Sequence, residues 1–279
     1  MKRSCLSISV AILLLYLGCG PKEAKQPVSE KRYVQTFQCV EALFVRERNG
    51  QPTVMASAFL VDRQRGIFAS AKHFVGSESD GDCKIFFNGR VYDGFLLRLP
   101  PVTDIAMIKI EGEFDSANFP EPYKIAIQVR IGDKVFVRGI HPHPGNLQAG
   151  HQVLRIFSEY YGLVGMNNEF VYDSLESKLM DINTKISNKN IKGSSEELVG
   201  VTNTYFKLKA KDDHQFSFGG LSGGPTVNNR DELVGVNSNE IPGGYELTSK
   251  GLIKRPWEIL HLVPASEVEK LLPQLADIR

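Results

Sequence analysis

Apolar residues in this chain fall in short runs that alternate with polar positions or stay continuous for a few residues, and the spacing favours strands over helices. Segments 37–46 and 53–61 are such runs, and Asn49-Gly50 between them suits a tight hairpin turn, because both residues tolerate positive φ. Segments 66–71, 84–87, 92–98 and 105–110 continue the series, separated by Gly, Asp and Pro, and six short strands suit one small closed barrel. A polar, proline-containing connection at 111–122 follows. A second series then runs through 123–127, 134–139, 204–209, 225–227 and 233–237. The fold class is therefore all-β. The exception is a short C-terminal helix over 266–279, with Ser266 as N-cap and Glu269 at the capping-box position.

One stretch, near 152–210, does not follow the strand rhythm. Residues 172–180 carry some helical periodicity and 183–197 are polar, so the stretch reads as an insertion. Such an insertion is either a lid or exosite beside a functional site, or a tolerated surface loop.

The N-terminus carries a basic start, Met1-Lys2-Arg3, and an apolar run over 6–17 that is short for a membrane-spanning helix. The run ends at Leu17-Gly18-Cys19-Gly20 and resembles a bacterial lipoprotein signal, although Tyr16 and Leu17 require a loose version of that signal. The resemblance implies a signal peptide over 1–18, a lipidated Cys19 and a protein held on a membrane of the bacterial cell envelope, facing the periplasm or the outside. An ordinary signal peptide or an uncleaved anchor is the alternative. Residues 19–33 begin at Cys19 and read as a flexible polar tether. In an oxidising compartment Cys39 and Cys83 could pair, or both could remain buried thiols. The net charge of +1 and the lack of a basic block exclude a nucleic-acid partner, and no repeat is present.

The chemistry concentrates in three segments. Gly219-Gly220-Leu221-Ser222-Gly223-Gly224-Pro225 places a serine among glycines, which leave room for a substrate backbone. A serine hydroxyl needs a base, and the base needs an orienting group. Phe68-Ala69-Ser70-Ala71-Lys72-His73 and Thr103-Asp104-Ile105-Ala106-Met107-Ile108 supply them at strand ends. The serine segment also fits the nucleophile elbow of α/β-hydrolases, with Asp231 and His261 following in the required order. That elbow needs a helix directly after the serine, which Gly223-Gly224-Pro225 disfavours.

The order His73, Asp104, Ser222 and the local sequences resemble the trypsin-like serine proteases, particularly their bacterial HtrA-type members, over about 34–263. The resemblance implies two six-stranded antiparallel β-barrels, at 34–115 and at 116–265 with the insertion inside the second. His73 and Asp104 come from the first barrel and Ser222 from the second. It also implies an oxyanion hole from the amides of Gly220 and Ser222, and a substrate-binding region at Phe216 and at Ser238-Asn239-Glu240. The substrate would be a protein or peptide. No cofactor is expected, and no metal either: His141-Pro142-His143 and His151 lack an accompanying Cys or acid at ligand spacing and read as a loop at the cleft rim. Phe216 stands where a charged floor would select Lys or Arg, so an apolar residue is expected before the scissile bond. Leu221 stands where trypsin-type zymogens carry an Asp, so activation by an inserted N-terminus is not expected. Only a short helix follows the protease part, leaving no room for the PDZ domain of most HtrA-type enzymes. Two readings follow, a membrane-tethered serine endopeptidase and a silent or latent protease fold acting as a protein-binding module.

Overall fold

A computed structural model describes residues 39–75, 82–97, 103–143, 152–162, 169–187, 202–214, 220–241, 245–248, 251–254 and 257–275. Six strands, β1 (Glu41–Arg48), β2 (Gln51–Asp62), β3 (Ile67–Ser70), β4 (Asp82–Phe87), β5 (Arg90–Leu96) and β6 (Ala106–Ile110), close a barrel in the order β1-β2-β3-β6-β5-β4. Helix α1 (Lys72–Val75) follows β3 directly. The β1–β2 turn is the expected one, with Asn49 at φ 55° and Gly50 at φ 71°. Asn88-Gly89 repeats it between β4 and β5 with φ of 47° and 73°. Phe44, Leu60, Phe68, Ile85, Phe87 and Ile108 fill the barrel. Each such side chain taken from water stabilises the fold by about 1.5–3 kcal/mol.

The second half adds β7 (Lys124–Ile125), β8 (Lys134–His143), β9 (Gln152–Val153), β10 (Glu169–Ser187), β11 (Thr202–His214), β12 (Pro225–Asn228), β13 (Glu232–Ile241), the hairpin of β14 (Tyr245–Thr248) with β15 (Gly251–Lys254), and β16 (Trp257–Pro264). Strands β11, β16, β13, β12, β8 and β10 form a second ring, closed by antiparallel pairing of β10 with β11. The expected two-barrel, all-β fold is thus present.

Three details depart from the sequence reading, and the cysteine question it left open is resolved. Residues 172–180 are strand, and β10 and β11 are two of the six barrel strands, so much of the stretch read as an insertion is barrel wall. Its helix α2 (Arg155–Tyr160) buries Ile156 and Phe157 against Leu43, Val45 and Phe86 of the first barrel and Ile140 and Phe170 of the second. The C-terminal helix α3 (Ala265–Leu271) starts one residue early. Because β16 runs straight into it, Pro264 is the N-cap and Ser266 lies within the helix. His141 and Pro142 belong to β8 rather than to a loop, and Pro142 is tolerated because β12 pairs with β8 only at Val135–Val137. Cys39 and Cys83 are free thiols. Cys83 pairs with Arg46 near the far end of β1, and seven extended residues separate Cys39 from that position by roughly 23 Å. A disulfide needs Cα atoms within about 7 Å. Burial pushes the Cys83 thiol up to about 12, which keeps it protonated and unreactive.

The barrels meet on a shared apolar layer. Phe59, Ala69, Ile105 and Met107 come from the first barrel and Tyr205, Leu233, Val236 and Val263 from the second, with Val268 and Leu271 of α3 covering one side. A polar bridge flanks this layer. Glu41 Oε1 accepts from the Tyr123 hydroxyl at 2.6 Å, and Arg138 donates to the same hydroxyl at 3.0 Å and to Asp231 at 2.7 Å. Burial raises the Glu41 carboxyl above its ordinary value despite the lowering effect of the Tyr123 bond. The fold therefore binds this proton more tightly than the unfolded chain does. The stability Glu41 contributes is present at acid pH and lost as pH rises through its folded pKa. Glu41→Gln keeps the acceptor oxygen, so thermal melts are expected to show a higher Tm for the variant at about pH 8 and little difference at about pH 4.

Candidate active site

His73 is the second residue of α1, which turns immediately after β3, and Asp104 lies just before β6. Pairing of β3 with β6, from Ser70↔Ala106 to Ile67↔Lys109, brings those two strand ends side by side. Asp104 Oδ1 accepts from the His73 backbone amide at 2.9 Å, and Oδ2 lies 2.7 Å from His73 Nδ1. Ser238 Oγ donates to the same Oδ2. Asp104 is 2% exposed, and three donors compensate the burial of its carboxylate. The arrangement assigns the Nδ1 proton of His73 to the Asp104 bond and leaves Nε2 as the basic nitrogen.

Ser222 sits in the turn leading into β12. Gly220 and Gly223 on either side adopt φ of +98° and +85°, a region that L side chains resist. Space forbids a side chain at Gly223 as well. A Cβ there would stand 2.2 Å from the Ser57 carbonyl oxygen and 2.7 Å from the Ala71 amide nitrogen. Gly223-Gly224 lead into a strand and not a helix, which removes the hydrolase-elbow reading. Ser222 Oγ donates to the backbone carbonyl of Ser238 at 3.1 Å. Ser222, Ser238, Asp104 and His73 are thereby linked through one set of hydrogen bonds, drawn from both barrels. Among the described residues, no hydrogen bond joins Ser222 to His73, and the amides of Gly220 and Ser222 meet no acceptor.

Two residues that sequence reasoning passed over hold this turn. Ser57 of β2 is fully buried. It donates its hydroxyl to the Gly220 carbonyl at 2.6 Å, accepts from the Ile140 amide at 2.8 Å, and donates its backbone amide to the Ser222 carbonyl at 3.0 Å. Asn237 of β13, 1% exposed, donates from Nδ2 to the carbonyls of Arg138 and Leu221 and accepts from the Thr226 hydroxyl at 2.6 Å. Its backbone carbonyl also accepts from the Gly223 amide at 2.7 Å. The only sequence signal for Ser57 is a hydroxyl between alanines in an otherwise apolar strand. Leu221, wholly buried, packs in the second barrel's core with Val137 and Leu262, so the position before the serine is filled by apolar packing.

Among the other candidates, Asn239 and Glu240 continue β13 and pair with His261 and Leu260 of β16. Among the described residues, the opposite edge of that stretch has no strand partner, which leaves backbone groups available to an extended peptide. His141 Nε2 lies 3.2 Å from Asp173 Oδ2, and no group of three or more metal-ligating side chains occurs among the described residues. Phe216, Cys19 and His151 lie outside the described residues.

A hydroxyl beside a buried carboxylate–imidazole pair, with two amides in the same turn that meet no acceptor among the described residues, has the parts needed for acyl transfer through a serine. Structural neighbours agree on the scaffold. The active form of the Rv3671c protease from M. tuberculosis superposes with a TM-score of 0.56 at 15% identity, covering 86% of this chain and 81% of that one. The inactive form of the Rv3671c protease gives 0.52 at 14% identity, covering 85% and 89%. At such identities the likeness concerns the fold. No curated protein matches the sequence at a significant level. The Trypsin-like peptidase domain matches residues 56–236, a span that contains His73, Asp104, Ser222 and the strands that carry them. With two closed barrels and that match over more than half its length, the chain belongs to the trypsin-like peptidase family.

Proposed function

We propose that this protein is a serine endopeptidase of HtrA-like type, tethered to a bacterial membrane through a lipid on Cys19. The observation that carries the reading is the hydrogen-bonded set Ser222–Ser238–Asp104–His73, assembled from both barrels beside two unengaged amides. In this account Ser222 Oγ turns from the Ser238 carbonyl toward His73 Nε2, gives up its proton there and attacks the peptide carbonyl. The amides of Gly220 and Ser222 receive the developing oxyanion, each such donor being worth about 10²–10³ in rate. His73 then protonates the leaving amine, and water, activated by the same imidazole, releases the acyl group from Ser222. Asp104 holds the tautomer and stabilises the imidazolium. Substrate lies along the unpaired edge of Ser238-Asn239-Glu240 as an added strand, with an apolar side chain before the scissile bond.

A second reading, a latent form or binding module, draws on the engagement of the Ser222 hydroxyl with the Ser238 carbonyl instead of the imidazole. Catalytic hydrogen bonds often tighten only around substrate, so the endopeptidase is preferred. Digestion of a proteome-derived peptide library separates the two. The endopeptidase yields new peptide termini that the Ser222→Ala protein does not produce, and the binding module yields none with either. For the anchor, cells fed a clickable fatty acid should label the wild type and not Cys19→Ala.

A further inference from the structure

Exposed large apolar side chains are concentrated on one part of the surface. Among the described residues they are Ile127, Ile131, Met180 and Ile182, with exposures of 93%, 62%, 44% and 38%. Ile127 and Ile131 lie in the connection from β7 to β8, and Met180 and Ile182 on β10 just beyond its last pairing with β8 at Lys178↔Lys134. The two segments touch. The Gly132 amide donates to the Leu179 carbonyl at 2.8 Å and the Leu179 amide to the Asp133 carbonyl at 2.9 Å.

Charge on these segments is sorted by exposure. In 124–134 and 178–185 the exposed charged residues are Lys124, Arg130, Lys134, Lys178 and Lys185, all basic. The acids Asp133 and Asp181 are half-buried and occupied locally. Asp133 accepts from the Arg130 amide, and Asp181 accepts from Asn183 and Thr184. Lys134 pairs with Glu176 at 2.6 Å, and Lys124 lies beside Glu232 where β7 meets β13, which leaves Arg130, Lys178 and Lys185 as the cations with no ion pair to an acid among the described residues.

Placement is consistent with docking. β8 runs from Lys134 beside this patch to His141, which packs against Gly220 in the serine turn. Seven extended residues put the patch roughly 24 Å from that turn, so contact here leaves the cleft open.

We propose that this patch is a membrane-docking face: Ile127, Ile131, Met180 and Ile182 enter the interfacial region of an anionic bilayer, and the surrounding Lys and Arg side chains bind its headgroups. Single exposed apolar residues need no explanation, but clustered ones within a basic rim match the chemistry of an interfacial anchor. The proposal rests on the lipid-anchor reading and deepens it by naming the face that the tethered protein turns toward the bilayer.

The chain from Gly20 to Arg279, the expected mature protein without its acylated cysteine, tests it by co-sedimentation with vesicles of phosphatidylcholine alone or mixed with phosphatidylglycerol. Binding is expected to the anionic vesicles and not to the neutral ones. Arg130→Glu and Lys178→Glu should each weaken it by roughly fivefold or more, and the double change Ile127→Ser with Ile131→Ser should abolish it, with circular dichroism unchanged. Absence of wild-type binding to anionic vesicles, or equal binding by all variants, overturns the proposal. So does a discrete dimer, seen by sedimentation velocity and lost in the isoleucine variant, with no vesicle binding. Acylation of Cys19 is read separately in cells, so binding without acylation would remove the anchor reading alone.

Discussion

Asp104→Asn is expected to lower peptide turnover by about 10⁴-fold while leaving the backbone around His73 in place, as the corresponding change does in the general serine protease scheme. The cause lies in what the carboxylate accepts. Both donors from His73 and the hydroxyl of Ser238 converge on its two oxygens. An asparagine has one acceptor oxygen, and its amide turned toward Nδ1 selects the tautomer with the proton on Nε2, where the base is needed. Displaced buried donors cost about 1–3 kcal/mol each in stability, so a lower urea midpoint should accompany the kinetic loss. A variant with activity within tenfold of wild type would mean that Asp104 is a structural carboxylate only.

Gly223→Ala should have the largest effect on stability. The residue holds φ +85°, where an L side chain costs about 1–2 kcal/mol, and the new Cβ would lie 2.2 Å from a backbone oxygen and 2.3 Å from Ser70 Oγ. Neither neighbour is a flexible side-chain end. Ser70 Oγ is itself bonded to the Ser57 carbonyl at 2.7 Å, so relief requires moving the serine turn away from the first barrel. Overpacking of this kind adds about 1–3 kcal/mol, for a total of roughly 2–5 kcal/mol in a denaturant titration. Activity should fall with it, because Ser222 is the adjacent residue and would move from His73. An alanine variant with wild-type stability would contradict the close docking of the two barrels at this turn.

How much of this could be read from the sequence depends on whether the determining contact is local. The Asn49-Gly50 turn was legible because the two residues alone fix positive φ, and the three chemical segments because their composition is unusual within a few positions. β10 was misread because Leu175 and Leu179 stand four apart, a helical spacing, while the inward position between them is filled by the polar Ser177. Its period is broken further where it leaves β8 and continues paired with β11 only. Ser57 and Asn237 were invisible because their importance comes from partners that lie up to 165 and up to 99 positions away, at Ser222 and Arg138. The question of Cys39 and Cys83 could be answered only through strand register, which places them toward opposite ends of β1. Ser266 failed as a cap for a related reason: β16 and α3 share a junction with no connecting residue.

The most direct measurement is covalent labelling of the purified chain by a fluorophosphonate, followed by intact mass. The account predicts one adduct on the wild type, none on Ser222→Ala and a rate reduced by several orders of magnitude on His73→Ala. Undiminished labelling of Ser222→Ala, or no labelling of a folded wild type, would contradict it.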